Sequence, residues 1–337
     1  PGGSRTGLSA VEVWYGAEQV PTTLSAPGGP GSVVAIGVFD GVHRGHRFLI
    51  SQVRKQARAE GRAAMVITFD RHPRQVLQDN YQPALLTTTD EKLQLLKETG
   101  IDTVAVLHFD RVMASLSARD FMEQVLLGRL NVRTLVTGYD NRFGRGRTEN
   151  FNDYVRYGQE LGIRVVQSEA FMLGGEHVSS SLVRSALRRG DVAHAARCLG
   201  RPYVLTGRVV SGHQEGRKLG FPTANIDVSA SACLVPANGV YAVKVGIMAD
   251  GPHAASSATF EGMMNIGMRP TFSGHRQTLE VYLFNFNGDI YGRELSVAFI
   301  RHIREEQRFD SADMLAAQLR RDEAEIKKLF EQDKANE

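Results

Sequence analysis

The chain has 337 residues, 42% of them hydrophobic and 23% charged, a balance that excludes a disordered or fibrous protein and gives length for about two domains. Lys and Arg total 40 against 37 Asp and Glu, and the resulting +3 is too small to argue for a nucleic-acid or membrane partner. No apolar run approaches the ~18 residues that span a bilayer. The opening residues carry no signal-peptide core, and the two cysteines, Cys198 and Cys233, form no Cys-x-x-Cys pair, so a reducing, cytoplasmic location is expected.

Residues 33–39 form a continuous apolar run that predicts a buried parallel strand. Residues 47–60 carry Phe48, Leu49, Val53 and Ala57 near helical spacing, with Gly61 as a stop. Further strands are predicted at 64–69, 103–107, 134–137 and 164–166, separated by helices at 91–99, 119–127 and 152–161. This alternation implies βαβ units and a doubly wound parallel sheet. Two short helical stretches follow, at 182–187 and 192–199. Beyond Tyr203 the pattern changes. Strand-like runs at 204–210, 239–245, 278–284 and 295–299 are separated by Gly, Asn, Pro and Ser, the signature of an antiparallel barrel or sandwich. Residues 311–330 carry Met314, Leu315, Leu319, Ile326 and Leu329 as an amphipathic helix, with Asp310 and Ser311 as its N-cap. The fold class is α/β plus β, with domains at 11–200 and 201–337 and a boundary near Gly200.

The first strand runs into Phe39-Asp40-Gly41-Val42-His43-Arg44-Gly45-His46, and a helix follows. A strand-to-helix turn at the C-terminal edge of a parallel sheet is where α/β folds bind ligands. The helix N-terminus offers free N–H groups to an anion, and two imidazoles three residues apart add donors for phosphate oxygens. Gly45 lets backbone come close. The plainer alternative is a turn with two surface histidines. Near the end of this half, Ser179, Ser180 and Ser181 supply N-cap hydroxyls, with Arg184 one turn into the helix after them. In the second half, Gly212, Gly216, Arg217, Lys218 and Gly220 make a glycine-bearing basic loop suited to phosphates, without the Gly-Lys-Ser/Thr order of a P-loop. Thr223 and Asn225 behind it supply oxygens that suit a hard ion such as Mg²⁺.

The His43-x-Gly45-His46 element resembles the nucleotidylyltransferase signature, and the string from Gly37 to His46 resembles the bacterial bifunctional riboflavin kinase/FAD synthetases. Ser179-Ser180-Ser181-Leu182-Val183-Arg184 resembles that superfamily's second element, with Ser181 where Thr is usual. Two loops are similar to family segments and are the natural place for the flavin partner. One holds Asp70, His72 and Pro73, with Arg71 where the family has Pro. The other holds Asp140 and Phe143, with Asn141 where an aromatic is common. Gly220-Phe221-Pro222-Thr223-Ala224-Asn225 resembles the riboflavin kinase hallmark; Asn265-Ile266-Gly267-Met268-Arg269-Pro270-Thr271-Phe272, Glu280 and Arg304-Glu305-Glu306-Gln307-Arg308-Phe309 follow in the family's order.

The resemblance implies a six-stranded Greek-key barrel with a terminal helix for the second half. It also implies two reactions. Riboflavin plus ATP gives FMN, with Glu280 as general base, Mg²⁺ on Thr223 and Asn225, and Arg304 and Arg308 as flavin contacts. FMN plus ATP then gives FAD, with His43, His46 and Arg184 stabilising charge, and Gly37, Phe39, Asp40, Gly45, Ser180 and Ser181 around the ATP. Two rival readings stand beside it: a flavin-binding regulator with inactive sites, and a nucleotidylyltransferase for another acceptor with an appended kinase.

Overall fold

The computed structural model describes residues 11–211, 220–249 and 256–336. The chain forms two compact units, one built from the residues up to Pro83 with Thr87–Ser179, the other from Ala84–Leu86 with the residues from Ser180 onward.

In the first unit the strands are β1 (Glu12–Tyr15), β2 (Ser32–Ile36), β3 (Ala63–Phe69), β4 (Thr103–Leu107), β5 (Val132–Thr137) and β6 (Arg164–Gln167). They make one parallel sheet in the order β1-β4-β3-β2-β5-β6. The helices are α1 (Thr22–Ser25), α2 (Arg44–Glu60), α3 (Pro73–Leu77), α4 (Thr89–Lys97), α5 (Arg111–Ser115), α6 (Ala118–Asp120) and α7 (Phe151–Leu161); a small hairpin, β7 (Met172–Leu173) and β8 (Glu176–His177), completes the unit. Strand alternation sends Val33 and Ala35 to one face, against Ile50 and Val53 of α2, and Val34 and Ile36 to the other, against Phe121 and Met122. Both faces are therefore covered, which is why β2 and β4 read as unbroken apolar runs rather than alternating ones.

Three details differ from the sequence expectation. The first strand stops at Ile36 instead of Phe39, because Gly37 turns and gives its N–H to Ile67 O at 3.0 Å. The helix expected over 119–127 is π-wound from Phe121 to Leu127 and ends with Leu130 N on Val125 O, a five-residue step. The edge strand β1 lies in a segment whose half-exposed residues carry no clear alternation.

In the second unit, α8 (Ser180–Arg188) and α9 (Val192–Leu199) precede six strands: β9 (Tyr203–Val210), β10 (Ala224–Asp227), β11 (Gly239–Met248), β12 (Ser256–Thr271), β13 (Gly274–Leu283) and β14 (Glu294–Arg304). They close a barrel in the order β10-β13-β12-β11-β14-β9, with every pair antiparallel. In β9 the residues alternate, with Tyr203, Leu205, Gly207 and Val209 buried. The terminal helix α10 (Ala312–Asn336) lays Ile326, Leu329 and Phe330 on Phe221, Ala242, Met263 and Phe284. The α/β sheet followed by a closed six-stranded barrel and terminal helix is the architecture expected. The change of pattern near Gly200 marks the C-cap of α9, three residues before the barrel begins.

Candidate active sites

The turn after β2 is built on strained backbone. Phe39 has φ 53° and Val42 φ 41°, values that cost a side-chain-bearing residue energy, and both are buried. Asp40 helps hold this conformation: its buried carboxylate accepts from Thr87 N at 3.2 Å and Thr87 Oγ1 at 3.4 Å, while Gly41 N donates to Thr87 Oγ1 at 3.2 Å. His43 caps α2, its Nδ1 accepting from His46 N at 3.2 Å, which leaves the ring proton for Nε2 in the neutral form. The His43 and His46 rings stack with centroids 3.5 Å apart, and Phe39 meets His46 edge-on. A Cβ on Gly45 would lie 2.9 Å from His43 Cε1 and 3.0 Å from Val178 O, so the close approach requires glycine here. Two imidazoles are thus packed at the head of a 17-residue helix, whose positive dipole end favours an anion.

The neighbouring loops lie at the same strand edge. Asp70 follows β3; its Oδ1 accepts from Phe109 N at 3.0 Å and its Oδ2 meets His108 Nδ1 at 2.5 Å. Partial burial pushes this carboxyl up, but the Phe109 N–H, His108 and the Arg71 charge outweigh that and hold it below the usual carboxylate range. His72 caps α3 through Nδ1, with Pro73 in its first turn. After β5, Asp140 is exposed, 3.8 Å from His177, and Asn141 Nδ2 donates to Ile36 O at 2.7 Å, tying this loop to the end of β2. Phe143 stacks on Tyr154 at 4.3 Å and leans on Phe121, so its ring packs into the core of the unit.

Two contributors escaped the sequence reading. Thr87 is one. The other is Lys92 of α4, a buried lysine whose Nζ donates to Val38 O, Thr68 Oγ1 and Phe69 O. The available signal was a lysine beside Leu93 and Leu96 on the apolar side of its helix.

Ser180, Ser181 and Arg184 belong to the second unit, in the first turns of α8; Arg184 Nε donates to Ala84 O at 2.8 Å. In the barrel, Gly212, Gly216, Arg217 and Lys218 lie outside the described residues. Gly220, at φ 81°, leads into Phe221 and Thr223. Asn225 of β10 pairs with Glu280 of β13, and Glu280 pairs on its other side with Asn265 of β12. Directly opposed residues of antiparallel strands project on the same face, so the three side chains form a row. Leu279, Val281 and Leu283 fill the barrel interior, which puts this row on the outer face. Arg269 stands 3.9 Å from Glu280 and 3.2 Å from Glu306. The Glu306 carboxylate packs against Gly267 and would have to shift if a Cβ stood there.

Among the described residues no cluster of three His, Cys, Asp or Glu is placed to hold a metal. The oxygens of Thr223 and Asn225 are neutral, and Asn265 Oδ1 is a buried acceptor with no partner among the described residues. Such a set fits Mg²⁺, which keeps waters and relies on substrate phosphates, better than a metal needing an all-protein cage. Arg304 is engaged: its Nε and Nη2 reach Asp322 of α10 at 3.0 and 2.9 Å, and its guanidinium lies over Phe309. Arg308 is exposed.

Comparison with known proteins follows the same division. Residues 27–182 match the FAD synthetase family and residues 199–330 the riboflavin kinase family. The bifunctional riboflavin kinase/FMN adenylyltransferase of Escherichia coli K12 is 41% identical over 300 residues, covering 89% of this chain and 93% of its own length. The Bacillus subtilis 168 protein of the same description is 35% identical over 306 residues, covering 89% and 92%. A crystal structure described as a macrolide-efflux protein from Streptococcus pneumoniae superposes with a TM-score of 0.80 at 30% identity, covering 94% of this chain and 98% of that one. Among the described residues no helix is long and apolar enough to cross a membrane. With both family matches in order and relatives aligned over nearly their full length, the chain belongs to the bifunctional riboflavin kinase/FMN adenylyltransferase family.

Proposed function

We propose that this chain makes FAD from riboflavin in two ATP-dependent steps, the first on the barrel and the second on the parallel-sheet domain, with domain limits at 11–200 and 201–337. The observation that supports the reading is that one chain carries two separate groupings of the expected residues: stacked His43 and His46 at the head of α2, and Glu280 between Asn225 and Asn265 on the barrel.

In the kinase step Glu280 takes the proton of the terminal ribityl hydroxyl as that oxygen bonds to the γ-phosphorus of ATP and ADP leaves. Arg269, held by Glu306, restrains the Glu280 carboxylate. Thr223 and Asn225 would hold Mg²⁺, which supplies charge neutralisation on the phosphates when bound. Arg217 and Lys218 serve the phosphates, and Arg308 serves the flavin.

In the adenylyl step an oxygen of the FMN phosphate bonds to the α-phosphorus of ATP while the bond to pyrophosphate breaks. No covalent enzyme intermediate is required. The α2 N–H groups with His43 and His46 meet the charge that develops on the phosphorus oxygens, in a loop held by Asp40, Thr87 and Gly45. Asp70, His72 and Asp140 sit in the loops assigned to FMN, and Ser180, Ser181 and Arg184 keep an ATP-phosphate role. The low cysteine count, with no Cys-x-x-Cys pair, and dependence on ATP support a cytoplasmic location.

Incubating the whole chain with riboflavin, ATP and Mg²⁺ and resolving the products by chromatography tests the reading. FMN followed by FAD is expected. Neither product would leave a flavin-binding protein without catalysis, and FMN without FAD would point to another adenylyl acceptor.

A further inference from the structure

Lys92 is only 7% exposed, yet all the donors on its ammonium are used. Nζ lies 3.1 Å from Val38 O, 3.1 Å from Thr68 Oγ1 and 3.2 Å from Phe69 O. Thr68 gives its own hydroxyl proton to Val38 O at 3.1 Å, so its oxygen is free to accept. Val38 immediately precedes the Phe39–His46 turn and Phe69 immediately precedes Asp70. We infer that Lys92 is a positioning residue for adenylyl transfer, whose protonated side chain clasps the last carbonyl before the nucleotide loop to the last carbonyl before the Asp70 loop. The inference rests on the reading that this unit adenylylates FMN.

The charge state matters because of donor arithmetic. An ammonium has three N–H groups for three acceptors; a neutral amine has two and turns a lone pair toward the third. Deprotonation therefore removes one hydrogen bond from the clasp, either an N–H bond to a loop carbonyl or, when the Thr68 hydroxyl turns to donate to the amine, the Thr68 bond to Val38 O, while leaving the lysine stem packed. Burial pushes the Lys92 pKa down to about 8, with Asp40 and Asp70 pulling against it. The charged groups facing it are Asp40 from the turn after β2, whose carboxylate meets Thr87, and Asp70 from the loop after β3, which carries His108 and Arg71. The clasp is thus set to fail just above neutral pH, on one of the two reactions only.

The test uses the whole chain, with riboflavin phosphorylation as the internal control. In Lys92→Met, kcat/KM for FMN adenylylation should fall about 10²-fold, the scale of a 1 Å misplacement, with KM rising for both ATP and FMN. Riboflavin phosphorylation should stay within about twofold. The parent's adenylylation rate should decline as pH rises through about 8. That limb should be missing in Lys92→Gln, which has two N–H donors at every pH, and missing from the kinase profile. Adenylylation in Lys92→Met within about threefold of the parent, or the same alkaline limb in Lys92→Gln, overturns the role of Lys92. Should neither variant fold, the parent profiles decide: an adenylylation rate flat through pH 8 overturns it, and a decline confined to that reaction supports it. A parent that makes no FAD from FMN overturns the functional reading instead.

Discussion

Asp322→Asn tests how the barrel keeps its terminal helix. Asp322 is 1% exposed and sits on α10, where it accepts from Arg304 Nε and Nη2 and from Gln318 Nε2 at 2.9 Å. Arg304 ends β14, and its side chain is 15% exposed. Asparagine keeps the shape and one acceptor but turns an NH₂ group toward the guanidinium. Breaking a buried ion pair from one side costs about 3–5 kcal/mol, because the remaining charge is left in a dry site. Arg304 retains some water access and the Phe309 face, so the lower end, about 3 kcal/mol, is expected. For a unit of this size that lowers its melting temperature by about 6–12 °C. The assay is residual activity after a heat step: riboflavin phosphorylation should be lost over that lower range while FMN adenylylation follows the parent curve. A shift below about 2 °C would mean that Arg304 swings into water and that the pair contributes no more than a surface one.

Three more outcomes follow from named residues. His46→Ala should cut FAD formation from FMN by about 10²–10³-fold, the cost of one donor to transition-state charge, and leave FMN formation unchanged; equal loss of both activities would contradict separate sites. Glu280→Gln should lower riboflavin phosphorylation toward the low end of the about 10²–10⁴-fold general-base range, in kcat more than in KM, with FMN still converted to FAD at the parent rate. Activity within about threefold would make Glu280 a positioning residue. Lys92 also makes stability depend on pH: its folded pKa of about 8 lies below the ordinary 10.5, so between those values the unfolded chain holds more protons and folding becomes more favourable as pH rises. Relative to Lys92→Met, the parent should gain about 3 kcal/mol in guanidinium denaturation between pH 7 and 10.5, and parallel pH slopes for the two proteins would refute this.

Much of the molecule was legible from local pattern. Unbroken apolar runs marked β2 to β5 because buried parallel strands are apolar on both faces, and the loss of helical spacing beyond Tyr203 marked the barrel. The turn from Phe39 to His46 was readable because its parts are adjacent in the chain: strand end, glycine, imidazoles and helix start. Other features joined residues that only folding brings together. Lys92 is more than 50 residues from Val38, to whose carbonyl it donates, and nothing in the spacing of α4 says which strand ends it will meet. The row of Asn225, Glu280 and Asn265 depends on the register of three strands, and a slip of one residue would send Glu280 into the barrel interior. The Arg304–Asp322 pair joins residues 18 positions apart on β14 and α10, and no spacing within either element announces it. Helix and strand periodicities are properties of near neighbours, whereas register, donor counting and the partner of a buried charge are properties of packing. Most elements were therefore written in the local sequence, though β1, β10 and β12 were not read from it; the two reaction classes came from the resemblance of its motifs, and the groups that hold each site in shape were chosen by the tertiary fold.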